Sequence, residues 1–269
     1  MFLDYHIHSD FSTDGKSSME EMILKSIDLN LSEICFCDHV DYGVFTDDSF
    51  MVDLDKYFEK LNLLKSKYQD KITIKKGIEF GLQRHLTSYY QNRAKEYDFD
   101  FIICSIHAID GQDLYLDSYF DGKTQIEIYE NFYNEFFEVV KNYKDYNVLG
   151  HLDLIKRYSH FEGSSSDDYF YDIIESILKQ VISDGKGIEI NSSCFRYKLP
   201  DLTPSMKILK MYKDLGGEII TTGSDAHSTE YLACKFDYIH SVLKELGFKY
   251  VAGFNKRQPE FFKIDDILK

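Results

Sequence analysis

Two rhythms alternate along the chain. Short apolar runs lie at residues 2–8, 33–38, 72–79, 101–106, 147–150, 187–191 and 218–224, with a weaker one at 248–253, and each predicts a strand. Between them, apolar residues recur every three or four positions, as one buried helix face requires. Ser18 with Glu21 makes a capping box ahead of Met22, Ile23 and Ile27, and Asp53 precedes Leu54, Tyr57, Phe58, Leu61 and Leu64. Thr124 with Glu127 opens a stripe of Ile128, Tyr129, Phe132, Phe136 and Val139. Phe170, Ile173, Ile174, Ile177, Leu178 and Val181 form another, stopped by Gly185. Thr203-Pro204 is expected to start a helix that Gly216-Gly217 ends. Strand alternating with helix predicts an α/β fold with a mainly parallel sheet. Nothing resembling a Gly/Ser-rich linker interrupts the 269 residues, apart from a short loop at 164–166, so one domain over residues 1–269 is expected.

The histidines fall in step with these strands. His6 and His8 end the first, His39 follows the second, His107 the fourth, His151 the fifth and His227 the seventh. His85, His160 and His240 break the rule; His85 and His240 read as surface or packing residues. Carboxylates keep the same company: Asp38 precedes His39, Glu79 closes the third strand, and Asp225 stands two residues before His227. In a parallel barrel all carboxyl ends share one face, so these side chains converge. Period two puts both imidazoles of His6-Ile7-His8 on one side of a strand, where they can serve a single ion. Six histidines with several carboxylates exceed what one ion takes, and mixed nitrogen and oxygen ligands suit Zn, Fe or Mn. Two to three divalent ions are expected.

Charge and composition narrow the partners. Lys and Arg number 31 against 46 Asp and Glu, a net charge of −15, which disfavours extended contact with a nucleic-acid backbone. No apolar run approaches the ~20 residues that span a bilayer, and no basic-then-apolar leader opens the chain, so a cytoplasmic protein with no membrane partner is expected. Cys35, Cys37, Cys104, Cys194 and Cys234 are odd in number, lack a C-x-x-C pair, and read as reduced core thiols. Cys37, near His39, keeps a ligand reading open.

The motifs H-I-H with a following Asp, C-D-H, G-I-E, S-I-H, G-H-L-D and G-S-D-A-H, in this order, resemble the polymerase and histidinol phosphatase (PHP) family. Within it, "SIHAIDG" and "GHLDLIKRY" are similar to the monofunctional histidinol-phosphate phosphatases. The resemblance implies a distorted (β/α)7 TIM-like barrel with a trinuclear metal site. It places His6, His8, Glu79 and Asp225 on one ion. Glu79 bridges to a second held by His107 and His151, while His39 and His227 hold a third with Asp14. Family members carry histidine where this chain has Asp14; a carboxylate can still serve there, the alternative being a turn role before Gly15.

Clustered divalent ions suit phosphate-monoester hydrolysis, because they activate water and stabilise phosphoryl and leaving-group oxygens. A phosphate dianion also suits a guanidinium. Arg196 and Arg157, on loops past the sixth and fifth strands, are the candidates, with Lys156 competing with Arg157; Arg84 and Arg93 lie along a helix and are set aside. In the resembled phosphatases basic residues of these two segments contact the phosphate. No G-x-x-x-x-G-K-[ST] loop or C-x5-R segment offers another route. Asp113 or His160 could protonate the leaving alkoxide, and the acidic, aromatic loops 41–48 and 110–121 could receive a histidinol group. The expected activity is metal-dependent hydrolysis of L-histidinol phosphate in histidine biosynthesis, with Glu79, Asp225, Arg196 and Arg157 as catalytic residues. The rivals are another small phosphate or nucleotide as substrate, and a metal-binding barrel without catalysis. Oligomeric state leaves no signal.

Overall fold

The computed structural model describes residues 2–44, 51–158 and 167–269. Seven strands run parallel in chain order: β1 (Phe2–Ile7), β2 (Leu31–Phe36), β3 (Thr73–Gly81), β4 (Phe101–Ser105), β5 (Val148–Leu149), β6 (Gly187–Asn191) and β7 (Ile220–Gly223). The sheet bends round until its ends meet. Asp225 N donates to His6 O at 2.7 Å, His8 N to Ala226 O at 2.9 Å, and Thr222 Oγ1 to Leu3 O at 3.2 Å. This is the expected distorted (β/α)7 barrel. A two-residue strand, His39–Val40, pairs with the upper end of β3 and sets His39 opposite Glu79.

Helices α1 (Met19–Asp28), α2 (Leu54–Tyr68), α3 (Thr87–Glu96), α4 (Gln125–Asn142), α5 (Tyr171–Ser183), α6 (Met206–Asp214) and α7 (Phe236–Glu245) lie between and after the strands. Both capping boxes form: Ser18 and Thr124 accept from the backbone N–H groups of Glu21 and Glu127, whose carboxylates reach back. One expected start is displaced. The Thr203-Pro204 peptide is cis and precedes α6, because Thr203 O accepts from Asn191 N at 2.7 Å and so belongs to the end of β6.

The run near 248–253 forms a strand outside the barrel. β8 (Tyr250–Asn255) and β9 (Gln258–Lys263) make an antiparallel hairpin across the amino ends of the strands. Val251, Ala252 and Phe254 are buried there, and Phe254 lies 4.9 Å from Phe101. Its N–H donates to the Tyr5 hydroxyl at 2.6 Å, and Tyr5 also bonds the buried Glu33 carboxylate. The hairpin plugs the floor, leaving the opposite face for chemistry. Among the described residues no helix is long and apolar enough to cross a membrane.

His240 is a packing residue, stacked on Phe2 at 5.4 Å with Nδ1 donating to Phe236 O. Burial pushes its pKa down to about 4. The unfolded chain therefore binds an extra proton between pH 6.5 and 4, and stability is lost as pH falls through that window. Urea melts at pH 7 and 4.5 should show a loss larger by about 2 kcal/mol in the parent than in His240→Phe. Equal losses would mean that His240 is already charged in the fold.

Candidate metal centre

At the carboxyl ends of the strands, one buried carboxylate gathers the histidines. Glu79 Oε2 lies 3.2 Å from His6 Nε2, 3.0 Å from His39 Nδ1 and 3.7 Å from His8 Nε2. Its Oε1 lies 2.9 Å from His151 Nε2 and 3.3 Å from His107 Nε2, and accepts from Ser105 Oγ at 2.6 Å. Asp225 Oδ1 stands 3.4 Å from His8 Nε2. On the rim, Asp14 Oδ2 is 3.2 Å from His227 Nε2, and Asp14 Oδ1 is 3.9 Å from His39 Nε2. Every residue expected to ligate is thus brought to one place. Among the described residues, four overlapping triplets have mutually close donor atoms: His6-His8-Asp225, His6-Glu79-His151, His39-Glu79-His107 and His8-His39-His227.

The outward hydrogen bonds fix which nitrogen faces the centre. His6 Nδ1–H donates to Glu189 Oε1 at 2.6 Å, and His107 Nδ1–H to Asp41 at 3.0 Å. His227 Nδ1–H donates to Asp225 O at 2.9 Å. Ser12 Oγ gives its proton to Asp38 and so accepts from His8 Nδ1–H at 3.2 Å. All four rings turn an Nε2 lone pair inward, the arrangement of metal-ligating histidines.

The donor set fits divalent cations. His6 Nε2, His8 Nε2, His39 Nδ1 and Glu79 Oε2 are buried with no hydrogen-bond partner among the described residues, although all point into the same cluster. Buried polar atoms are ordinarily paired, so four orphans aimed together call for a cation between them. Burial works against the Glu79 carboxylate, but His6, His107 and His39 outweigh it and hold it well below the usual range. Burial, with His227 and His39 beside it, keeps His8 neutral. His6 and His107 go the other way: burial lowers them, yet their carboxylate neighbours, Glu189 and Glu79 for His6 and Asp41 and Glu79 for His107, raise them well above 6.5. Protons therefore balance the carboxylates when no cation does, and a cation entering the cluster displaces them.

Two carboxylates of the inner cluster escaped sequence reasoning. Glu189 lies inside β6, and its signal was a lone acid in a fully buried apolar strand. Asp41 lies in a loop read as substrate-facing; it sits so close that a Cβ on Gly81 would meet its Oδ1 at 1.9 Å. Two other expectations are corrected. Asp38 does not converge with Glu79 and Asp225: it accepts from Ser9 N and Ser12 N at 2.8 and 3.0 Å and pins the turn after β1. Cys37 joins none of the ligand groups among the described residues: its Sγ faces Tyr5 O at 3.4 Å and Cys35 Sγ.

Both nominated arginines reach the centre. Arg157 Nη2 donates to Ser193 Oγ at 2.6 Å and to Asp225 Oδ2 at 3.1 Å, while Arg196 Nη2 lies 3.8 Å from the same oxygen. Tyr197 packs against both guanidiniums, 4.3 and 5.0 Å from its ring. Lys156 turns away to Asp153, Arg84 pairs with Asp110 and Glu135, and Arg93 with Glu96. The arginines, His39, His107, His227 and Asp113 line a cavity of about 660 Å³. Burial raises the Asp113 carboxyl above the ordinary carboxylate value. His160 and the loop at 164–166 lie outside the described residues, as do residues 45–48 of loop 41–48.

Comparison with known proteins gives consistent likenesses. The PHP domain family matches residues 4–193. The histidinol-phosphatase of Lactococcus lactis subsp. lactis is 32% identical over 260 residues, 94% of each chain. The probable histidinol-phosphatase of Clostridium acetobutylicum is 29% identical over 96% of this chain and 98% of its own. Among solved structures, the histidinol phosphate phosphatase of Lactococcus lactis subsp. lactis, complexed with zinc, L-histidinol and phosphate, superposes with a TM-score of 0.89 at 31% identity, over 96% of this chain and 98% of that one.

Proposed function

The chain belongs to the PHP domain family, and from that premise we propose that it hydrolyses L-histidinol phosphate to L-histidinol and phosphate, a cytoplasmic step of histidine biosynthesis, using two or three divalent ions. One observation carries the reading: His39, His107, His151, His227 and Asp225, all members of the donor cluster, line one cavity with two guanidiniums. A bare metal-storage barrel has no use for the arginines.

His6, His8, Glu79 and Asp225 would hold one ion, Glu79, His107 and His151 a second, and His39, His227 and Asp14 a third. Divalent ions bound there supply Lewis acidity that activates water and neutralises phosphoryl oxygens. Arg196 Nη1, buried and with no hydrogen-bond partner among the described residues, is placed to donate to a phosphoryl oxygen. Arg157 binds phosphate beside Arg196, its charge kept in place by the Asp225 carboxylate and by Ser193. Asp113 lines the same cavity, and this position makes it the candidate to give a proton to the departing alkoxide oxygen. The remaining wall, with Tyr115, Leu116 and Tyr158, is apolar enough to receive an imidazole and exclude water.

The test is phosphate release from L-histidinol phosphate against sugar phosphates and nucleotides, with the protein supplied with Mn, Fe or Zn. A kcat/KM at least ~100-fold above the panel is expected, as a site with paired polar contacts to one substrate gives. Equal, feeble rates on all substrates would leave the metal centre and remove the substrate. A protein that binds metal stoichiometrically and turns over nothing would be the non-catalytic barrel.

A further inference from the structure

Glu189 belongs to none of the four ligand triplets, yet it touches two of them. It is buried in β6, with Oε1 accepting from His6 Nδ1–H at 2.6 Å and Oε2 accepting from His151 N–H and Asn191 Nδ2–H, both at 3.0 Å. Both oxygens are engaged by donors, so the carboxylate faces away from Glu79 and is no ligand itself. Room for it depends on the next strand: a Cβ on Gly223 would meet Glu189 Oε1 at 2.1 Å. His151 sits at φ +20°, a backbone conformation that costs about 1–3 kcal/mol and persists only when its surroundings hold it. The bond from its N–H to Glu189 is one such hold.

We infer that Glu189 is a positioning residue that couples two parts of the metal centre, orienting the His6 ring with one oxygen and the His151 backbone with the other. The inference rests on the reading of the cluster as a metal site. A glutamine cannot replace it. The amide has one acceptor oxygen and one donor NH2, and three donors face it, so either His6 or the His151–Asn191 pair must meet an N–H. Aspartate keeps both acceptors and the charge but falls short of His6.

The experiment is a Co2+ titration of metal-free protein, followed through the visible bands of the bound ion, with thermal unfolding of the metal-free form measured alongside. Glu189→Gln is expected to weaken Co2+ binding ~10–100-fold, the usual effect of removing a partner behind a metal-bound histidine. Glu189→Asp should weaken it in the same direction and less. In a His6→Ala background the effect of Glu189→Gln should shrink, since one of its two routes is already gone. Unchanged Co2+ affinity in the folded fraction of Glu189→Gln, whatever its melting temperature, would overturn the inference. An undiminished effect in the His6→Ala background would do the same. If Glu189→Gln does not fold, a parental affinity in Glu189→Asp overturns it. A parent that takes up no Co2+ would instead sink the metal reading itself.

Discussion

Replacing Glu79 by alanine is expected to strip metal from the protein and to lower kcat/KM by roughly a thousandfold or more. The size follows from its position. Its two oxygens face His6, His8 and His39 on one side and His107 and His151 on the other, so one substitution removes the carboxylate common to two of the ligand triplets. Lewis-acid stabilisation of a phosphoryl transition state is worth several kcal/mol, and each 1.36 kcal/mol is about tenfold in rate. The loss is electrostatic as well. With the carboxylate gone, His6, His39 and His107 lose an anion that raises them, and the remaining site loses the negative charge that attracts a cation. Elemental analysis of dialysed protein beside steady-state rates checks the expectation. Full metal content with full activity would mean that the centre is elsewhere.

The second large effect separates the two arginines. Arg196→Ala should chiefly raise KM for phosphate esters, about 10- to 100-fold, because its buried Nη1 has no hydrogen-bond partner among the described residues and its contact to Asp225 is long. Arg157→Ala should lower kcat as well, by roughly 10²–10³ in kcat/KM, comparable with removing one donor of an oxyanion site. Arg157 is bonded to Asp225, so its loss also frees a carboxylate on which His8 and His227 depend. Steady-state kinetics of both variants decide the matter. Identical profiles, or a kcat effect confined to Arg196→Ala, would reverse the assignment.

How much of this could be read from the chain depends on the kind of signal. His6, His8, His39, His107, His151 and His227 were legible because histidine is scarce and each stands at the end of an apolar run, so strand register alone brings them together. Glu189 and Asp41 were not, although they orient His6 and His107. In a chain with 46 acidic residues a single carboxylate carries little information until its partner across the barrel is known. The same limit hid the second strand of the floor hairpin. Its turn places Lys256 and Arg257 at φ +47° and +66°, where Asn-Gly or Asp-Gly would have announced a tight reversal. Arg157 is intermediate: its place on a loop at the right face was readable, whereas its bond to Asp225, 68 residues further on, was not.

The seam between β1 and β7 bears on how the protein is made. His6, His8, Asp225 and Ala226 join the first strand to the last through main-chain hydrogen bonds, across some 220 residues of sequence. A ribosome releases five of the six clustered histidines, and Glu79, well before it releases Asp225 and His227. During that interval the nascent chain carries an open sheet edge and an incomplete set of donors. Contacts so distant in sequence form late, since the loop they close is long. Completion of the barrel and completion of the cation site are therefore the same event in the life of each molecule, and a chain stalled before its last strand is inert by construction.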